Sequence, residues 1–140
     1  ALSLGAHRYI DATVEDVAAV LRSMGGARVV LGTAPTAQGM AQTIPGLSPR
    51  GQLVVVAVPG EPITVNATDL IFGARSVAGA LTGTVADNEQ TLAFANLQDI
   101  RAHVETFPLE QAKEAYDRMM RAEVRLRAVL VMKPSSPQHP

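Results

Sequence analysis

The 140-residue sequence contains no cysteine, which excludes a disulfide framework and every thiolate metal site. Its only histidines, His7, His103 and His139, lie too far apart to form a paired-ligand motif, so no metal site is expected within the chain. Charge of one sign is lacking too. With 12 basic against 13 acidic residues and a net charge of -1, nothing electrostatic favours nucleic acid or an anionic membrane as partner. Nor is there an apolar run of about 18 residues, the length that a membrane helix needs. No signal or lipidation motif is visible, and a cytoplasmic location is expected. Two catalytic signatures are also missing. No G-x-S-x-G elbow occurs, and Ser3, Ser23, Ser48 and Ser76 have no recognisable base beside them, which argues against a serine hydrolase. The dinucleotide fingerprint G-x-G-x-x-G is absent as well: Gly79 and Gly83 stand four apart, and Gly25-Gly26 follow a helical stretch instead of opening one.

What is present is the material of one soluble domain with a proper core: 47% hydrophobic and 18% charged residues. Leu2 and Leu4 run into Gly5 as at the close of a helix, so a helix is expected to precede residue 1. A short strand is then expected over 8–11. Thr13, with Asp16 three residues on, reads as a cap for a helix carrying Val14, Val17, Ala18 and Leu21, stopped by Gly25-Gly26. The β-branched run over 28–32 reads as a buried strand. A short helix over 37–47 ends near Pro45, LSPRG turns, and QLVVVAV over 52–58 is the strongest strand signal. Val56 and Val58 are expected to be buried there.

Asn66 or Thr68 caps a helix over 69–74, and a strand over 76–81 follows. The helix over 85–97 is expected to turn Val85, Leu92, Phe94 and Ala95 inward. A strand over 102–107, a helix over 109–122 with Leu109, Ala112, Tyr116 and Met119 on one face, and a strand over 126–132 complete the pattern. The tail over 133–140 reads as mobile. Apolar strands alternating with amphipathic helices through Gly and Pro turns make the class α/β, a mainly parallel sheet with helices on both faces. Such a sheet binds ligands at the carboxyl ends of its strands, so the turns after Gly32, Val58 and Leu81 are the places to look. No catalytic residue stands out. The carboxylates of Glu15, Asp16, Glu110 and Glu114 fall in first helical turns or on polar faces, where the helix dipole and solvent explain them.

Four stretches, LGAHRYID, SPRGQLVVVAVPG, SVAGALTGTVADNEQTLAFA and HVETFPLEQAKEAYDRMMRAEVRLRAVLV, occur in an order and spacing that resembles the C-terminal half of the zinc-dependent alcohol dehydrogenases. The resemblance spans residues 4–132 and is nearest to the bacterial and cinnamyl-alcohol-type branch of that medium-chain dehydrogenase/reductase family. It implies a partial doubly wound, Rossmann-type sheet. Residues 1–102 would be the C-terminal part of a nucleotide-binding domain, and 103–132 a segment returning toward the catalytic domain. It further implies a fragment whose catalytic domain, zinc ligands and Gly-rich turn lie upstream, leaving zinc with the full-length enzyme and not with this chain.

By the same resemblance, NAD or NADP is the cofactor and a small alcohol or aldehyde the substrate. Thr33 and Ala34 would line the adenine and ribose side. Val56, Ala57 and Val58 would face the nicotinamide ring, Ala80, Leu81 and Thr82 would hold its carboxamide, and Arg127 would reach the diphosphate, a task suited to a guanidinium. A surface charge before an edge strand is the competing account of Arg127. A homo-oligomer built through the 76–81 strand is expected, and a non-catalytic assembly module derived from the family is the alternative to an enzyme fragment.

Overall fold

The computed structural model describes residues 1–81 and 83–132. The chain divides into two compact units, Ala1–Gly83 and Thr84–Pro140. In the first unit, Leu2–Leu4 forms a single 3-10 turn that closes on Gly5 at φ 94°, with the Gly5 N–H donating to the Leu2 carbonyl at 3.1 Å. The strand expected over 8–11 does not form: no described strand lies beside it, and an unpaired strand leaves its backbone groups to water. Side chains tie this segment instead. The Asp11 carboxylate accepts the N–H and hydroxyl of Thr13 at 3.0 and 2.6 Å, and Glu15 accepts the Asp11 N–H at 2.9 Å and the Arg8 guanidinium at 3.0 Å. α1 (Val17–Ser23) starts later than expected, and its cap is Asp16 instead of Thr13: the Asp16 carboxylate accepts the Ala19 N–H at 2.9 Å.

β1 (Ala27–Gly32) leads into α2 (Ala37–Ala41), which is shorter than the helix expected over 37–47. Pro45 has no N–H to continue an α-helix, and Ile44–Gly46 is a separate 3-10 turn. β2 (Leu47–Val55) absorbs the expected LSPRG turn as a bulge. Ala27 pairs with Leu47 but Val29 pairs with Gln52, and Arg50, at φ 61°, donates its N–H to Gly73 at 2.8 Å. Asn66 caps α3 (Ala67–Ile71), its side chain accepting the Thr68 N–H at 3.1 Å, and β3 (Ser76–Gly79) follows. The strands stand in the order β1-β2-β3, all parallel.

Register puts Val30, Leu53 and Val77 on one face, and the core packs there: Leu53 is fully buried with Met40, Ile44 and Leu47. On the other face Val29 and Leu31 are 62% and 61% exposed. At Gly32, the end of β1, a Cβ would lie 2.8 Å from the Met40 sulfur, so any larger residue there would have to push that side chain aside.

The second unit opens with α4 (Val85–Leu97), at the expected bounds. Its expected inward face is corrected: Val85, Leu92 and Phe94 are exposed and only Ala95 is half-buried. At 100° per residue Phe94 lies roughly opposite the Val85–Leu92 line, so no single apolar stripe exists to be buried. β4 (Glu105–Pro108) is followed by the 3-10 turn Leu109–Gln111, α5 (Ala112–Met120) and β5 (Ala128–Val131). β4 and β5 pair in parallel with a helical crossover between them, a βαβ unit. It buries Phe107 and Ala115; Ala112, Tyr116 and Met119, expected on one face of the helix, line one open depression with Ala128 and Leu130, where Tyr116 and Met119 remain exposed. The 133–140 tail lies outside the described residues.

Candidate functional site

In a parallel sheet every strand ends on the same edge, and the residues just past the ladder are released from it. Gly32, Val55 and Gly79 are register neighbours, so Thr33–Ala34, Val56–Val58 and Ala80–Leu81 leave one edge side by side. The backbone is held as it departs. The N–H groups of Val56 and Ala57 both donate to the Gly32 carbonyl, at 3.1 and 3.2 Å, and the Ala80 N–H donates to Val55 at 3.0 Å.

β2 therefore stops at Val55, earlier than the expected end at residue 58, and β3 stops at Gly79 instead of 81. The burial expected of Val56 and Val58 is corrected with it: they are 41% and 95% exposed. Leu81 is exposed and Ala34 packs against the core. Thr82 lies outside the described residues. Arg127 belongs to the second unit and precedes β5.

No ionisable side chain occurs among the strand-end residues. Apart from the Thr33 hydroxyl the edge offers backbone polar groups and apolar side chains, which suits holding a flat, partly apolar ligand and not moving a proton. The carboxyls whose pKa is lowered sit elsewhere on the surface. Asp11 is held down first by the Thr13 hydroxyl, Asp87 first by the Thr84 N–H, Asp117 first by the Lys113 ammonium and Glu123 first by the Arg121 guanidinium.

Beyond the turn after β1, an open cleft of about 300 Å³ is lined by Ala37, Gln38, Ala41, Glu61, Pro62 and Thr64. Glu61 accepts the Ala37 N–H there at 3.4 Å. Nothing local marks Glu61 in sequence, since it sits in a Pro- and Gly-rich turn. Among the described residues no group of three His, Cys, Asp or Glu side chains is placed to hold a metal ion. No helix among them is long and apolar enough to cross a membrane.

The model of the zinc-binding dehydrogenase family matches residues 1–97. The chain belongs to that family. An alcohol dehydrogenase of Penicillium expansum is 38% identical over 132 residues, covering 94% of this chain and 38% of that protein. An alcohol dehydrogenase of Geobacillus stearothermophilus is 31% identical over 134 residues, covering 95% of this chain and 40% of that one. Among solved structures, an alcohol dehydrogenase zinc-binding domain protein from Burkholderia ambifaria superposes with a TM-score of 0.84 at 25% identity, covering 95% of this chain and 38% of its own. Benzyl alcohol dehydrogenase from Acinetobacter calcoaceticus shares the fold at a TM-score of 0.82 and 19% identity. This zinc-binding dehydrogenase chain thus spans about two fifths of the length of the relatives it matches. Its parallel, open-sheet α/β architecture is that of its family neighbours.

Proposed function

We propose that the chain supplies part of the cofactor-binding domain of an NAD(P)-dependent zinc alcohol dehydrogenase, an enzyme oxidising alcohols to aldehydes or ketones. The observation that carries the reading is the edge at which Gly32, Val55 and Gly79 end in register, in a chain of this family. Nicotinamide, when bound, accepts the hydride from the carbinol carbon. The chain's own residues bind and orient. Thr33 and Ala34 flank the adenosine side, the exposed Val56 and Val58 wall one face of the ring with Ala57, and the backbone at Ala80–Thr82 holds the carboxamide. Arg127 pairs with the diphosphate. No cysteine thiolate is available here to hold zinc, and no step of the zinc chemistry is assigned to this chain.

The test is a titration of the 140-residue chain with NAD and NADP followed by amide chemical shifts. Changes centred on residues 33–34, 56–58, 80–82 and 127 are expected, with no alcohol turnover and well under one zinc per chain by metal analysis. Shifts confined to other residues, or stoichiometric zinc, would overturn the assignment. A second reading, a non-catalytic assembly module, draws on one observation: β3 pairs with β2 on one side and with no described strand on the other.

A further inference from the structure

The charges of the first unit sort by sheet edge. In a parallel sheet the connecting helices start at the carboxyl edge of the strands and return to the amino edge. Asp11, Glu15 and Asp16 precede α1 and Glu61 follows β2, which sets them toward the carboxyl edge, where one open cleft is lined by Thr13, Thr36 and Glu61 together. Arg8 stays with these acids, paired to Glu15 at 3.0 Å. The other arginines take the amino edge. Arg22 lies in the last turn of α1, Arg28 at the start of β1, Arg50 in the bulge of β2 and Arg75 just before β3.

One segment, residues 45–51, draws these elements together. The Arg22 guanidinium donates to the Pro45 carbonyl at 3.3 Å, and that of Arg75 donates to the carbonyls of Leu47 at 2.8 Å and Asp69 at 2.9 Å. Ala27, beside Arg28, pairs with Leu47, and its carbonyl accepts the Ser48 hydroxyl at 3.3 Å. Carbonyls orient a guanidinium without balancing its charge. Among the described residues, none of these arginines reaches a carboxylate at ion-pair distance, and Arg22, Arg28 and Arg50 are exposed.

Arg50 carries a second sign. Its φ of 61° is left-handed, a region that a long side chain rarely adopts, and its N–H, donated to Gly73 at 2.8 Å, holds it there. Its guanidinium finds no partner among the described residues. A strained backbone that presents an unpaired charge to solvent points to a role outside the fold.

We propose that the amino edge of this sheet, through Arg22, Arg28 and Arg50 and the added charge of Arg75, is a docking surface for an acidic segment of a protein partner. Guanidiniums pair with carboxylates by two parallel hydrogen bonds, and unbalanced cations on one edge create the local potential that steers such a segment in. Nucleic acid fits less well. α1, β1 and β2 offer no aromatic side chain on which a base could stack, and a duplex binder neutralises about 6–10 phosphates, more than this patch has cations. The surface lies at the opposite edge from the strand ends proposed to hold the cofactor, so it stands apart from that reading.

The test is fluorescence anisotropy of a labelled octaglutamate peptide titrated with the 140-residue chain, with labelled octathymidylate as the phosphate-backbone arm. Octaglutamate is expected to bind in about 20 mM salt and to be released in about 200 mM, where screening shortens the reach of exposed charge. Arg28→Gln and Arg50→Gln are each expected to weaken binding about threefold, the loss of one exposed charge contact, and the double variant about tenfold. Arg101→Gln, whose guanidinium is already paired with Asp99, should leave binding unchanged. Arg50→Gly separates docking from folding. It removes the charge and relieves the left-handed backbone, so it should melt no lower than the unchanged chain while binding as weakly as Arg50→Gln.

An Arg50→Gly chain that melts lower yet binds octaglutamate normally would make Arg50 a structural residue and overturn its place in the surface. Tighter binding of octathymidylate than of octaglutamate would overturn the choice of an acidic protein segment. No octaglutamate binding at low salt, or binding that Arg127→Gln weakens and the Arg28→Gln/Arg50→Gln double variant does not, would overturn the docking surface itself.

Discussion

Leu53 is 0% exposed and sits among Met40, Ile44 and Leu47, with Val30, Val55 and Leu70 packed around that cluster. Few other apolar side chains of the first unit are so enclosed, which concentrates its packing energy in this group. Leu53→Ala is expected to cost about 2–5 kcal/mol, the range for removing a large buried side chain and leaving a cavity. A lower urea midpoint with an unchanged slope would show it; a change under about 1 kcal/mol would mean that the site collapses or that the core lies elsewhere. Exposed pairs work on another scale. Arg8–Glu15 at 3.0 Å is half open to water, where an ion pair contributes at most about 1 kcal/mol.

α4 shows how an element can be specified at its end and not by its face. The Thr84 hydroxyl accepts the Asp87 N–H at 3.3 Å, and the Asp87 carboxylate accepts the Thr84 N–H at 2.7 Å and the hydroxyl proton at 2.8 Å, a reciprocal capping box. Both bonds to the carboxylate favour its charged form, and the Asp87 pKa is lowered, chiefly by the backbone N–H and next by the hydroxyl. The folded value thus lies below the unfolded one. The cap's contribution is fully present above the unfolded aspartate value of about 4 and is lost as pH falls through the lower folded value. An NMR titration of the Asp87 carboxyl carbon should give a midpoint below that of aspartate in the urea-unfolded chain. Thr84→Val removes the hydroxyl but keeps the larger backbone contribution, so it should move the midpoint only part of the way back. A complete return, or none, would contradict the order of causes.

At the scale of the whole molecule, the first unit has a three-stranded sheet with open flanks among its described residues, and one face where Val29 and Leu31 meet water. Parallel sheets are ordinarily covered on both faces, and open strand edges invite pairing. The assembly reading places self-association at β3, where the Ala80 N–H is already spent on Val55. Strand alternation then turns the N–H groups of Val77 and Gly79 outward. Light scattering should show mass rising with concentration, and Val77→Pro, which removes an outward donor, should suppress the rise. A chain that is monomeric throughout, or association indifferent to that proline, would remove β3 as the interface.

Some of this was legible from residues alone. β-branched runs marked β1 and the core of β2, and the turn at Gly83-Thr84 followed by a helical stretch marked α4 at its bounds. These features depend on neighbours in the chain, so a one-dimensional pattern carries them. Other features depend on residues far away in sequence. Whether 8–11 is a strand depends on a partner to pair with, and β2 ends at Val55 because the next N–H groups turn onto Gly32. Residues 48–51 bulge because Arg50 finds Gly73. Glu105 meets Arg118, thirteen residues on, and the Arg125 N–H, twenty residues on, only in the fold. Periodicity records which faces a segment offers to water or to a core, while strand ends, registers and charge partners are settled by whichever distant groups the fold brings within hydrogen-bond reach.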